Sequence, residues 1–449
     1  MRATTNSETQ AMGKAKQTIA KEPYSWGKDT VENNWVEFET AVSHSSSIQC
    51  QSITGGFSIQ MPRRLECSSG GSKRMLKQVL LGGTALMGVA AITLPAHAGS
   101  VGSKDAMRVT LGGEMRFNLG VVDQDVSATR GRGYGMSVEE TEVKVGARNT
   151  ADNGLTYGVR LELNAGAADT SAADEAFAFI DSDWGRIEIG DQDDASDRMA
   201  VHAYEILVGR AGADGDPVDY INFGTRTISG QGFDSTSDDT KLTYFSPRFG
   251  GFQLGASLTP DSGVNSGTAG LLDTDNDGNF ENVFGLGANW EGTFGELEIV
   301  LGVVGEFGDS ETASGADTEG KIESIGVGAN VLYAGFGFGA FFADFAEKGL
   351  SQAQRNAGRD AGSYYDLGVS YETGPWGVSL GYFSSTVANG TGIADSDAEI
   401  ISFDVAYDVA PGWEFTGAFH LGAAENMNGT AVPVKNDATA LIVSNIFKF

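Results

Sequence analysis

Residues 439–449 read TALIVSNIFKF, and an extended strand sorts them by chemistry. Side chains of a strand alternate faces, so Leu441, Val443, Asn445, Phe447 and Phe449 share one side while Ser444 and Lys448 lie on the other. Only Asn445 interrupts the apolar row. The same period sets Trp413, Phe415, Phe419 and Leu421 against Glu414, Thr416 and His420, and Leu297, Ile299, Leu301 and Val303 against Glu296, Glu298 and Glu306. No stretch keeps a helical spacing over a comparable length.

Working back from the C-terminus to Met107, units of about ten alternating residues are joined in turn by tight connections and by long, acidic, glycine-rich loops. Turn compositions occur at 149–154 (NTADNG), 181–185 (DSDWG), 247–251 (PRFGG), 291–295 (EGTFG), 334–336, 372–375 (ETGP) and 409–412 (VAPG). Longer segments fall at 120–137, 165–172, 192–238, 260–281, 307–319, 347–361, 387–397 and 423–436. These connections separate sixteen strands, an even number that lets the first pair with the last and removes the edge that lipid would penalise. A soluble sandwich also alternates, but it gives no reason for aromatics at strand ends such as Tyr244, Trp290, Tyr333, Tyr371, Trp376, Tyr407 and Trp413. An interfacial belt does. The expected fold is all-β, a sixteen-stranded antiparallel transmembrane β-barrel, wide enough to hold water.

Residues 75–98 (MLKQVLLGGTALMGVAAITLPAHA) have a basic start at Lys73, Arg74 and Lys77, an apolar core, and Ala96-His97-Ala98 as a small-x-small cleavage site. This predicts a secretory signal peptide, with the barrel domain at 99–449. Residues 1–74 lack alternation and precede a leader that acts at a chain's start, so they read as an over-extended or non-structured segment with Met75 as the initiator. Both cysteines, Cys50 and Cys67, lie in that segment, leaving an exported part without a disulfide or thiolate metal site. Residues 1–98 carry ten of the 30 basic and seven of the 60 acidic residues, so residues 99–449 have a net charge of −33. The acidic balance disfavours nucleic acid as a partner, so none is expected, and favours cations.

The strand VTLGGEMRFNLG (109–120), the hairpin SDWGRIEIGDQD (182–193) leading into the longest loop, and the terminal Phe449 resemble the Gram-negative general-diffusion porins, most of all the alphaproteobacterial ones. The resemblance covers residues 99–449. It implies a homotrimer in the outer membrane, in contact with its lipid and lipopolysaccharide, whose third loop folds inward and faces basic residues on the opposite wall. The third loop here carries Asp191, Asp193, Asp194, Asp197 and Glu205. Alternation turns Arg116, Arg148, Arg160 and Arg186 inward, on strands one, two, three and five, together with Lys144, Glu114, Glu162 and Glu188. These arginines and carboxylates form the expected pore constriction. The resemblance also makes Phe449, Phe447 and Val443 a barrel-assembly signal.

Asp273, Asp275 and Asp277 place oxygen donors at alternate positions before Gly278, as in half of an EF-hand loop, but Phe284 stands where the bidentate Glu belongs. Weak Ca2+ binding or a bridge to lipopolysaccharide is one reading, and an ordinary acidic loop the simpler one. His202 and His420 have no G-x-S-x-G nucleophile beside them and read as solvated polar residues, so no enzyme activity and no resident cofactor is expected. The expected function is a passive outer-membrane channel for small hydrophilic solutes and ions, preferring cations. A substrate-selective porin of the same fold, or a non-conducting adhesin or structural barrel, are the alternatives.

Overall fold

The computed structural model describes residues 107–126, 132–166, 173–209, 216–229, 232–263, 279–310 and 320–449, with a two-residue strand Val36–Glu37 lying against Thr110 and Leu111. The leader at 75–98 and the acidic run at 273–278 lie outside the described residues, as does the rest of 1–74. The barrel strands are β1 Arg108–Gln124, β2 Tyr134–Thr150, β3 Thr156–Asn164, β4 Ala176–Ser182, β5 Gly185–Asp191, β6 Thr240–Phe245, β7 Phe252–Asp261 and β8 Phe280–Phe294. They continue as β9 Leu297–Ser310, β10 Ile322–Tyr333, β11 Phe336–Asp344, β12 Ser363–Thr373, β13 Trp376–Val387, β14 Ser396–Ala410, β15 Trp413–Glu425 and β16 Asn436–Lys448. Each pairs antiparallel with its sequence neighbour, and β16 pairs with β1 from Ala438↔Gln124 to Lys448↔Glu114, closing sixteen strands into a barrel. At the seam Gly113 donates its backbone N–H to the carbonyl of Phe449 at 3.0 Å, and Phe449 returns the bond at 3.1 Å.

Burial follows the sequence period. In β16 the odd positions Leu441 and Phe447 face outward and exposed, whereas Ala440, Ile442, Ser444 and Ile446 are buried on the inner face. The outward Asn445 that breaks the apolar row accepts a hydrogen bond from the indole N–H of Trp413 at 3.2 Å, so its polarity is satisfied across the strand pair. Trp413 also stacks on Phe447, with centroids 5.8 Å apart. Trp376 lies 4.5 Å from Tyr407 and Phe336 4.5 Å from Tyr371, all at the turn ends of their strands, which builds the expected aromatic belt. In the two-residue turn Ala334-Gly335 both residues lie in the left-handed region, at φ 51° and 86°. That is the twist a two-residue hairpin connection needs, and it favours glycine at the second position.

At the loop ends the strands run further than apolar alternation predicts. β1 continues to Gln124 and β9 to Ser310, and β2 already begins at Tyr134. Ladder hydrogen bonds need only backbone, so strands extend past the level where one face must be greasy.

Candidate pore constriction

The longest connection, between β5 and β6, holds a short helix α1 at Ala195–Met199, a single 3-10 turn at Ala203–Ile206 and a second short helix α2 at Asp216–Tyr220. Asp194 caps α1: its carboxylate accepts from the N–H groups of Ser196 at 2.8 Å and Asp197 at 2.9 Å. Beyond it the chain crosses strand after strand. Met199 lies over Gly255 and Gly287, Val201 over Gly302 and Gly328, Val208 over Gly377, and Ile221 over Gly422. Tyr220 reaches Gly120 on β1. One segment touching the same face of β7 to β10, β13, β15 and β1 lies inside the closed barrel. The glycines leave room for it: a Cβ on Gly328 would stand 1.8 Å from the carbonyl oxygen of Val201.

Inner-face polar groups then satisfy the loop backbone. Asn330 donates to the carbonyl of His202 at 2.9 Å and to Glu205 at 3.1 Å, Asp366 accepts from the N–H of Ala203 at 3.3 Å, and Ser379 from that of Val208 at 3.1 Å. Aromatics fill the space behind, with Phe233, Phe341, Phe345, Tyr364 and Phe383 buried together. Here the structure corrects the reading of both histidines as solvated. His202 is buried against Tyr204 and Phe341, at 4.7 and 4.0 Å, and His420 is buried on the inner face of β15, because the loop packs over that wall.

The opposite wall, β1 to β5, carries the basic residues. Arg116, Arg160 and Arg186 point inward as alternation predicts, but their partners are wall glutamates. Arg116 meets Glu114 at 3.0 Å, Lys144 meets Glu142 at 2.9 Å and Glu162 at 2.6 Å, Arg160 also meets Glu162, and Arg186 meets Glu188. From the loop itself Arg198, a cation, reaches Glu188. A purely acidic loop facing a purely basic wall is therefore not what forms; the wall is a ladder of alternating signs. Arg148 stands apart from it, exposed and two residues from the end of β2.

The loop carboxylates divide similarly. Asp194 is 3% exposed and serves α1, whereas Asp193 sits at the loop's neck, where one oxygen each of Glu175, Asp193 and Asp238 lie within 4.8 Å of one another. Asp191, also at the neck, accepts from the Thr240 hydroxyl. Asp197 follows in α1, and Glu205 packs half-buried beside Asn330. Burial pushes the carboxyls of Asp194 and Asp238 up to about 7, reinforced by Glu306 and Asp193 respectively. Burial likewise raises Glu205 to about 8, with Asp366 nearby, and Glu175 to about 9, beside Glu162 and Asp193. Sequence reasoning missed Arg198 and Lys241, although Lys241 stands one residue before the apolar Leu242 and alternation alone turns it inward.

The sequence matches the model of the Gram-negative porin family over residues 83–428. The chain belongs to the Gram-negative porin family. Among similar porins, the chitoporin of Vibrio furnissii is 24% identical over 307 residues, covering 63% of this chain and 77% of that protein. An uncharacterised protein of Rickettsia typhi is 23% identical over 317 residues, covering 56% and 70%. Among solved porin-like barrels, a loop L8 deletion mutant of OmpT from Vibrio cholerae superposes with TM-score 0.53 at 16% identity, covering 77% of this chain and all of that one. The anion-selective porin of Comamonas acidovorans does so with TM-score 0.52 at 16% identity, covering 76% of this porin and all of its own chain. Family and fold together place the protein in the outer membrane as a channel.

Proposed function

We propose that this porin is a passive, water-filled diffusion channel for small hydrophilic solutes and ions, with a preference for cations and no catalytic step. The observation that carries the preference is the pairing on the β1–β5 wall: Arg116, Lys144, Arg160 and Arg186 each lie against a glutamate. Wall cations matched by wall carboxylates leave little net field for anions, while residues 99–449 carry a net charge of −33. Trimeric OmpT from Vibrio cholerae, of similar fold at TM-score 0.52, supports assembly as a homotrimer. The outward apolar face would meet outer-membrane lipid, and the acidic loops would approach lipopolysaccharide phosphates through divalent cations. A planar-bilayer recording across a salt gradient tests the proposal: the reversal potential should have the sign of cation selectivity. Anion selectivity would overturn the charge argument, and a silent bilayer would favour a structural barrel.

The chitoporin relative favours a second reading, a lumen that binds one class of solute. Saturable block of the current by chitin oligosaccharides at concentrations where other sugars leave it unchanged would select that reading.

A further inference from the structure

The third loop leaves the wall after Asp191 and returns at Thr240, and its two ends meet at one ammonium group. Lys241, second residue of β6, is 1% exposed and donates both to the backbone carbonyl of Gln192, where the loop starts, and to that of Ser237, where it ends. Ser237 holds φ at 39°, a left-handed conformation that a residue with a side chain avoids. Its carbonyl is thus aimed at Lys241 against the local backbone preference, and surrounding contacts must hold it there. The N–H of Asp239 donates to the carbonyl of Thr236 at 2.9 Å and completes the turn.

Carboxylates crowd the same neck. Asp193, Asp194, Asp238 and Asp239 all act on the Lys241 charge, and Glu175 lies against Asp193 and Asp238. Charges that form on groups so close repel in a site poor in water, and each one formed is met by the single ammonium. The loop's own arginine at this end, Arg198, is engaged with Glu188 and with the side chain of Gln192 at 3.4 Å. Lys241 is the cation that both offsets the crowded carboxylates and ties the outgoing and returning chain together.

We propose that Lys241 is the latch of the third loop, a positioning residue that fixes both ends of the loop and so the width of the constriction, while remaining out of the path of the solute. It rests on the channel function proposed above. The test is single-channel recording of the full-length protein in planar bilayers, comparing the unaltered channel with Lys241→Met. Methionine keeps length and apolar stem but donates nothing, so the barrel should still run as a folded, heat-modifiable species while its open-channel noise rises about threefold or more, with sublevels absent from the unaltered channel. Should Lys241→Met not assemble, Lys241→Met with Asp238→Asn lowers the buried negative charge yet still leaves both carbonyls without the ammonium, and the same noise is expected. A steady current of unaltered amplitude in either variant overturns the latch.

Hydrogen exchange on the unaltered protein gives a reading that needs no variant. Amides in 192–199 and 232–239 should open together, because one group holds both ends; opening at separate rates overturns the latch. If the unaltered protein proves silent in the bilayer, the channel function fails, and the exchange pattern still decides the latch.

Discussion

Glu162 pairs with Lys144 at 2.6 Å and also with Arg160, so one carboxylate faces two wall cations. Replacing Glu162 by Gln should remove one wall charge beside Arg160 and leave Lys144 with Glu142, and so move the reversal potential in a salt gradient toward anions; no movement would mean that this part of the wall lies away from the permeation path. Asp194 behaves differently from its neighbours, although all three of Asp193, Asp194 and Asp197 read alike in the sequence. As the N-cap of α1, its replacement by Ala should destabilise the loop by about 1 kcal/mol, whereas Asp193→Asn should mainly change selectivity. At the seam, Phe449 exchanges two backbone hydrogen bonds with Gly113, each worth about 1 kcal/mol. Deleting Phe449 should remove that closure and leave unassembled periplasmic protein, which the yield of heat-modifiable barrel measures.

At the scale of elements, strand content was legible because an outward face in lipid and an inward face in water impose a two-residue period on every strand. The turns at 334–336 and 372–375 and the aromatic strand ends were equally legible, since each is set by local backbone or interfacial chemistry. The bed on which the third loop lies was not. Gly302 and Gly328 are ordinary strand glycines in the sequence, and only pairing of β9 with β10 brings them side by side beneath Val201. Gly328→Leu should therefore lift the loop, since a Cβ there would stand 1.8 Å from the Val201 carbonyl oxygen, while the wall need only shift the Phe341 ring. Overpacking there should destabilise the loop by about 1–3 kcal/mol and change single-channel conductance about twofold or more. Unchanged conductance would place the loop elsewhere in the working channel.

For the whole molecule, charge predicts how selectivity responds to solution conditions. Burial holds the carboxyls of Asp194 and Asp238 at about 7, Glu205 at about 8 and Glu175 at about 9. Raised carboxyls stay neutral until the pH passes those values, so cation preference should increase as pH rises from about 6 to about 9, a range in which ordinary carboxylates no longer titrate. The sign is the same for docking of the loop: protons bound more tightly in the folded protein are lost over this window, and the loop should hold less firmly at the alkaline end. Preference should also shrink with salt, because the Debye length falls from about 10 Å at 0.1 M to about 3 Å at 1 M. Reversal potentials measured over both ranges check each trend, and a pH-independent selectivity would remove these four groups from the conduction path.

What the sequence determined by itself is everything the solvent writes one residue at a time: sixteen amphipathic strands, the alternation of turns and loops, the belts at strand ends, and the inward face taken by Arg116, Arg160 and Arg186, though not the place of Arg148. Tertiary structure decided which charges meet. Glu188, which shares a strand face with Arg186, is also met by Arg198 from the loop, and Lys241 joins Gln192 to Ser237 across 45 residues of chain. Such contacts leave no periodic trace, because the partners share only a position in the closed barrel, and the closing of the barrel is what brings them within reach.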